Sequence, residues 1–146
     1  METKEPLQVR MYGEAVGDYQ TANDWWQSRH GEPLAETVLP PLGVMVERDG
    51  KPIAALWCYE SFGIGVAFLE MPLTRPGLSV REAMQALSLA VEACVRIAKA
   101  HAKEGGGDVS LFKCYTLPGI AHVLPRLGFV KATREPMQGF ILRRDD

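Results

Sequence analysis

Leu7-Gln8-Val9-Arg10-Met11-Tyr12 alternates apolar and polar side chains, the period of a strand with one buried face, and Gly13 and Gly17 break the run. Asp18 then stands as the N-cap of a helix through Tyr19, Ala22, Trp25 and Trp26, which Gly31 and Pro33 terminate. A loop with Leu39-Pro40-Pro41-Leu42-Gly43 follows. The sharpest local signal comes next: residues 44–48, Asp49-Gly50 and residues 51–59 predict a hairpin, because Asp-Gly supplies the positive φ angles of a type I′ turn. Residues 63–71 predict another strand, with Gly63 and Gly65 marking a bulge or a close backbone approach.

From Ser79 the period changes. Val80, Met84, Leu87, Val91, Cys94 and Ala98 recur at steps of three and four, the apolar stripe of a long helix. Ser79-Val80-Arg81-Glu82 fits a capping box at its start, and Gly105-Gly106-Gly107 ends it. Residues 109–115 predict a buried strand. Residues 117–127 predict a shorter helical segment, interrupted near Pro125 and closed by Gly128-Phe129, and residues 137–143 a last strand. The order is β-α-β-β-β-α-β-α-β, without internal repeat or linker, and places residues 1–146 in one α/β domain.

At 146 residues, 47% apolar and 23% charged, the chain has the balance of a folded globular protein. A domain of that size buries about 70% of the surface its unfolded form exposes. The polar Met1-Glu2-Thr3-Lys4-Glu5-Pro6 lacks the apolar stretch of a signal peptide, and no segment approaches the ~20 apolar residues of a membrane span, so the expected location is cytoplasmic, with no membrane partner. Cys58, Cys94 and Cys114 are odd in number and show no CxxC spacing, which reads as reduced, buried thiols. The formal charge of −2 is unevenly spread, −5 over residues 1–78 and +3 over residues 109–146. That total argues against nucleic acid as a partner, since phosphate backbones need a concentrated basic surface. The basic C-terminal third suits a small phosphorylated ligand.

The element order, with a hairpin before the central strand and Leu127-Gly128-Phe129 after the last helix, resembles the GNAT superfamily of N-acyltransferases over nearly the whole chain. Asp18-Tyr19, Trp25-Trp26, Leu39-Pro40 and Gly43 also resemble small GNAT-like proteins of phage and prophage-rich genomes. The resemblance implies a GNAT-like α/β (α+β) fold with a mixed central sheet, and acetyl-CoA as cosubstrate. In that family the diphosphate lies on backbone N–H groups of the loop opening the long helix, where the helix dipole favours negative charge. The family pattern Gln/Arg-x-x-Gly-x-Gly/Ala falls here on Thr74-Arg75-Pro76-Gly77-Leu78-Ser79, so the residues implied in binding are Met71, Leu73, Thr74, Arg75, Gly77, Leu78 and Ser79. Thr74 replaces the Gln or Arg, Pro76 removes a donor, and Ser79 brings a hydroxyl that either caps the helix or meets phosphate.

Acyl transfer to an amine needs a base for the nucleophile and an acid for the leaving thiolate. Glu70, in the strand before the loop, stands where many GNAT enzymes carry a catalytic glutamate. A carboxylate on the solvent-facing edge of a strand is the other reading of the same residue. Many relatives carry a tyrosine five residues before the phenylalanine of Leu-Gly-Phe. This chain has Leu124 there, and Tyr115 is the nearest alternative hydroxyl. Adjacent Trp25 and Trp26 point about 100° apart on a helix, so only one can face the core fully. Asp18, Asp24, Glu32 and Glu36 form either an acidic border for a cationic amine or a solvated face. His30, His101 and His122 form no pair at metal spacing, and no metal is assigned. Arg126, Lys131 and Arg134 are either a contact for the 3′-phosphate of coenzyme A or ordinary surface charge.

Two functions follow from these residues. One is an N-acyltransferase moving an acetyl group from acetyl-CoA to a primary amine on a small molecule or peptide. The other is a non-catalytic GNAT-like binding or assembly module with a degenerate coenzyme A loop. Exposed strand edges and a spare tryptophan also allow a homodimer.

Overall fold

The computed structural model describes residues 5–61, 63–114 and 122–131. Five strands, β1 (Gln8–Met11), β2 (Gly43–Arg48), β3 (Lys51–Glu60), β4 (Val66–Thr74) and β5 (Leu111–Cys114), form one sheet in sequence order. The first four are antiparallel neighbours and β5 lies parallel to β4, so the sheet is mixed. Helices α1 (Asp18–His30) and α2 (Val80–Glu104) connect β1 to β2 and β4 to β5.

The hairpin forms as its dipeptide demands, with Asp49 at φ 53° and Gly50 at φ 72°. Alternation along the strands then sends side chains to two separate cores. Val44, Val46, Leu56, Cys58 and Leu69 meet the small face of α2, Ala86, Ala90, Cys94 and Ala98. Met45, Ala55, Trp57 and Leu73 meet Ala22 and Trp25 of α1, with Leu34. The indole of Trp57 sits against Gly43, where a Cβ would stand 2.4 Å from its Cδ1. Gly43→Ala should therefore cost about 1–3 kcal/mol by overpacking, read as a lower urea midpoint with an unchanged slope.

Several expectations shift. Gly17, not Asp18, occupies the N-cap of α1 and makes no side-chain cap bond. Asp18 is instead only 3% exposed and accepts both terminal nitrogens of Arg10 at 2.7 Å, as well as the N–H groups of Gly13 at 2.8 Å and Ala15 at 3.4 Å. Arg10 also donates through Nε to Glu47. A bidentate guanidinium offers a carboxylate more than one capping N–H does, and the cluster ties β1 and its loop to α1.

Gly65 is a close approach, its absent Cβ lying 3.2 Å from the Asp108 carbonyl oxygen and from Ser110 Oγ. The bulge lies further on. β4 runs past Met71 to Thr74, and the residues Met71 and Pro72 both stand opposite Leu56. At the C-terminal end of the description, Leu124–Leu127 is a single 3-10 turn closed by Gly128 at φ 91°. The strand expected over residues 109–115 is β5, but its residues alternate between exposed and half-buried instead of being buried, and Tyr115, residues 117–121 of the expected helix and the strand expected over residues 137–143 lie outside the described residues. Residues 36–38, read as loop, form another 3-10 turn.

Candidate active site

The end of β4 departs from regular sheet at a bulge. Its pairing with β5 runs from Val66 opposite Leu111 to Leu69 opposite Cys114, while residues 70–74 continue with no β5 partner among the described residues. At the same point the bulge puts Met71 at φ 57°, a conformation that L-residues other than Asn and Asp seldom adopt and that costs of order 1 kcal/mol. Pro72 suits this position, because a proline in a strand cannot donate to the ladder and is tolerated at such irregularities. The consequence is a phase change: Glu70 shares the α1 face with Trp57, its partner across the strands, and Met71 and Leu73 return to that face.

Glu70 is half-buried, and among the described residues its carboxylate accepts no hydrogen bond and has no ion-pair partner. Burial raises its pKa above the usual glutamate value. The thiol of Cys114 and the hydroxyl of Tyr59 are both raised by burial first, and then by the negative charge of Glu70, which puts all three groups in one electrostatic neighbourhood. Asp18 is the contrast. Burial would raise it too, but the Arg10 hydrogen bonds and the Gly13 and Ala15 N–H groups outweigh burial and hold it below the ordinary aspartate value. One acid is paired and structural; the other has no partner among the described residues, and burial shifts it in the direction of a working base.

The loop after β4 carries the candidate binding residues. Arg75 gives its N–H to the Ile53 carbonyl at 2.8 Å, Pro76 has none, and Gly77 turns the chain at φ 89° with open space where a Cβ would lie. Ser79 caps α2: its Oγ accepts the Glu82 N–H at 3.1 Å and its carbonyl accepts the Ala83 N–H at 3.0 Å. Its hydroxyl is thus engaged as the capping box requires. The N–H groups of Val80 and Arg81 remain without an intrahelical acceptor, as a first turn dictates. Leu78 packs against the α2-side core and so anchors the loop. Exposed Arg75, Gly77 and Ser79 therefore present an arginine, a glycine backbone and a helix N-terminus together, a donor set that suits a diphosphate.

Other candidates fall differently. Leu124 is 8% exposed and belongs to the α2-side core, and its hydrocarbon side chain has no proton to donate. Trp25 is buried, while half-buried Trp26 stacks on His30 with ring centroids 3.9 Å apart. Asp24, Glu32 and Glu36 are exposed, and Asp18 is committed to Arg10, which favours the solvated reading of the acidic residues. His101 pairs with Glu60 at 2.8 Å on the surface. Arg126 and Lys131 are exposed, and Arg134 lies outside the described residues. Clefts of about 470 Å³ beside Arg48, Ser79 and Gln85, and of about 370 Å³ beside Leu39, Pro41 and Tyr59, open nearby, but Glu70 lines neither. Among the described residues no helix is long and apolar enough to cross a membrane.

Sequence reasoning missed the bulge: it ended the strand at residue 71, before Pro72, whereas β4 runs through Pro72 to Thr74. It also missed Arg29, whose Nη2 donates to Thr74 Oγ1 at 2.8 Å across a separation of 45 residues. No pattern in the chain announces that pair.

The mixed five-strand sheet with its two helices matches the fold of solved GNAT-like acetyltransferases. No family model matches the chain, and no curated protein is similar to it in sequence. Solved structures are similar in fold. The ribosomal-protein-S18-alanine N-acetyltransferase of Escherichia coli superposes with a TM-score of 0.61 at 16% identity, over 88% of this chain and 80% of its own. An acetyltransferase of Trypanosoma brucei gives 0.55 at 14% identity, over 92% and 100%. An aminoglycoside acetyltransferase from an uncultured soil metagenomic sample, in complex with sisomicin, gives 0.59 at 8% identity, over 95% and 97%. At such identities the likeness is one of fold, and the chemistry has to be argued from the site.

Proposed function

We propose that this chain is an N-acetyltransferase that moves an acetyl group from acetyl-CoA to a primary amine, with Glu70 as the general base. The observation that carries the reading is Glu70 itself: a half-buried carboxylate with a raised pKa and no partner among the described residues, on the strand that leads into the diphosphate-type loop. Acetyl-CoA supplies the acetyl group as a thioester, which an amine can displace. Met71 and Leu73 line the end of β4. Thr74, Arg75, Gly77, Leu78 and Ser79 form the loop that holds the diphosphate. Glu70 takes a proton from the acceptor nitrogen, directly or through one water, and its raised pKa brings its basicity closer to neutral pH than that of an ordinary carboxylate. Tyr115, one position beyond β5, is the proposed proton donor.

The acceptor class draws support from similar folds, one naming an alanine of ribosomal protein S18 and another an aminoglycoside. The competing reading, a binding module without catalysis, draws on Leu124 in the core and the donor lost at Pro76. Isothermal titration with acetyl-CoA separates the two. Micromolar binding that Gly77→Glu abolishes, followed by thioester consumption with an amine panel, supports the enzyme. Absence of binding at millimolar ligand supports the module.

A further inference from the structure

In the loop pattern that this chain resembles, the first position holds a long polar or cationic side chain. Here it holds Thr74, whose side chain is shorter and neutral. The structure brings another group to that position. Arg29, in the last turn of α1, extends across from the opposite face of the sheet and places Nη2 2.8 Å from Thr74 Oγ1. That hydrogen bond uses one of the five N–H donors of the guanidinium. Among the described residues Arg29 has no carboxylate within ion-pair distance, in contrast to Arg10 and Arg48, each of which meets an acid. It is exposed, and the neighbouring Arg75 is exposed as well.

The dipole at the C-terminus of α1 accounts for a cation in the last turn. It does not account for that cation being fixed to the first residue of the loop rather than left in solvent. An arginine held by a neutral hydroxyl keeps its full charge and most of its donors for an anion.

We propose that Arg29 supplies the guanidinium of the diphosphate subsite, from α1, in place of the side chain that Thr74 lacks. The assignment rests on the acetyl-CoA reading above and extends it: the subsite is built from both faces of the sheet, and α1 is coupled to the loop through Arg29 and Thr74.

Calorimetric titration of full-length protein with coenzyme A tests this, using Arg29→Gln, Thr74→Val and, as a control for net charge, Arg96→Gln on the exposed face of α2. Arg29→Gln should weaken binding about tenfold or more, the loss expected for a charge-assisted hydrogen bond. Thr74→Val should weaken it less, because the charge stays and only its anchor goes, while Arg96→Gln should bind as wild type does. Wild-type affinity for coenzyme A in Arg29→Gln retires the assignment alone. An equal loss in Arg29→Gln and Arg96→Gln does the same, since the effect would then be one of overall charge. A wild-type protein that does not bind coenzyme A retires the acetyl-CoA reading and this assignment together.

Discussion

Glu70→Gln should lower the rate of acetyl transfer by roughly 10²–10⁴-fold, the usual contribution of a positioned base, with little change in affinity for coenzyme A. Gln keeps the size and leaves the cross-strand pairing with Trp57 in place, so the fold should survive, as a thermal melt would show. The pH profile carries the sharper information. Burial raises the Glu70 pKa, so the carboxyl is protonated, and inactive as a base, up to a higher pH than an ordinary glutamate would be. Activity of the wild type should therefore rise with pH through an acid limb above the usual glutamate value, and that limb should vanish in Glu70→Gln. A variant with wild-type kcat would remove Glu70 from the reaction.

The second large effect is on stability. Asp18→Asn should cost about 3 kcal/mol at neutral pH, since it removes one partner of a pair whose carboxylate is almost fully buried and leaves Arg10 with Glu47 alone. The pH dependence has a definite sign. The folded-state pKa of Asp18 is depressed, so its contribution is complete above the unfolded value of about 3.9 and is lost as pH falls through the folded value. Urea melts of wild type and variant should differ most near pH 7 and converge in strong acid. A constant difference down to that pH would mean that packing, not the ion pair, is what the substitution disturbs.

The two acids also show where sequence reasoning reached its limit. Glu70 was a candidate for function by its place in the strand before the loop, and Asp18 as one of the acidic residues that could border a cationic amine. Which of them is free could be decided only by knowing what stands opposite. Arg10 lies eight residues from Asp18 and bonds to it through both terminal nitrogens, while no such partner reaches Glu70 among the described residues. Tyr115, the other catalytic candidate, rests on the sequence alone.

Some features needed only a few neighbouring residues to be legible. The Asp49-Gly50 turn, the Ser79 cap with Glu82, the αL glycine at Gly31 and the apolar stripe of α2 are each set by backbone sterics or by hydrogen bonds within one turn. Local pattern therefore sufficed for the order of the elements from β1 to β5, the position of the glycine turn before α2 and, from Leu87 on, the buried side of α2, although Val80 at the head of the expected stripe is exposed. Tertiary structure alone decided the rest. It assigned Asp18 to Arg10, set the bulge at Met71 and Pro72 that returns Met71 and Leu73 to the α1 face beside Glu70, and brought Arg29 to Thr74. Those outcomes depend on contacts between segments placed by packing, and a local pattern carries no record of what will stand on the far side of a contact.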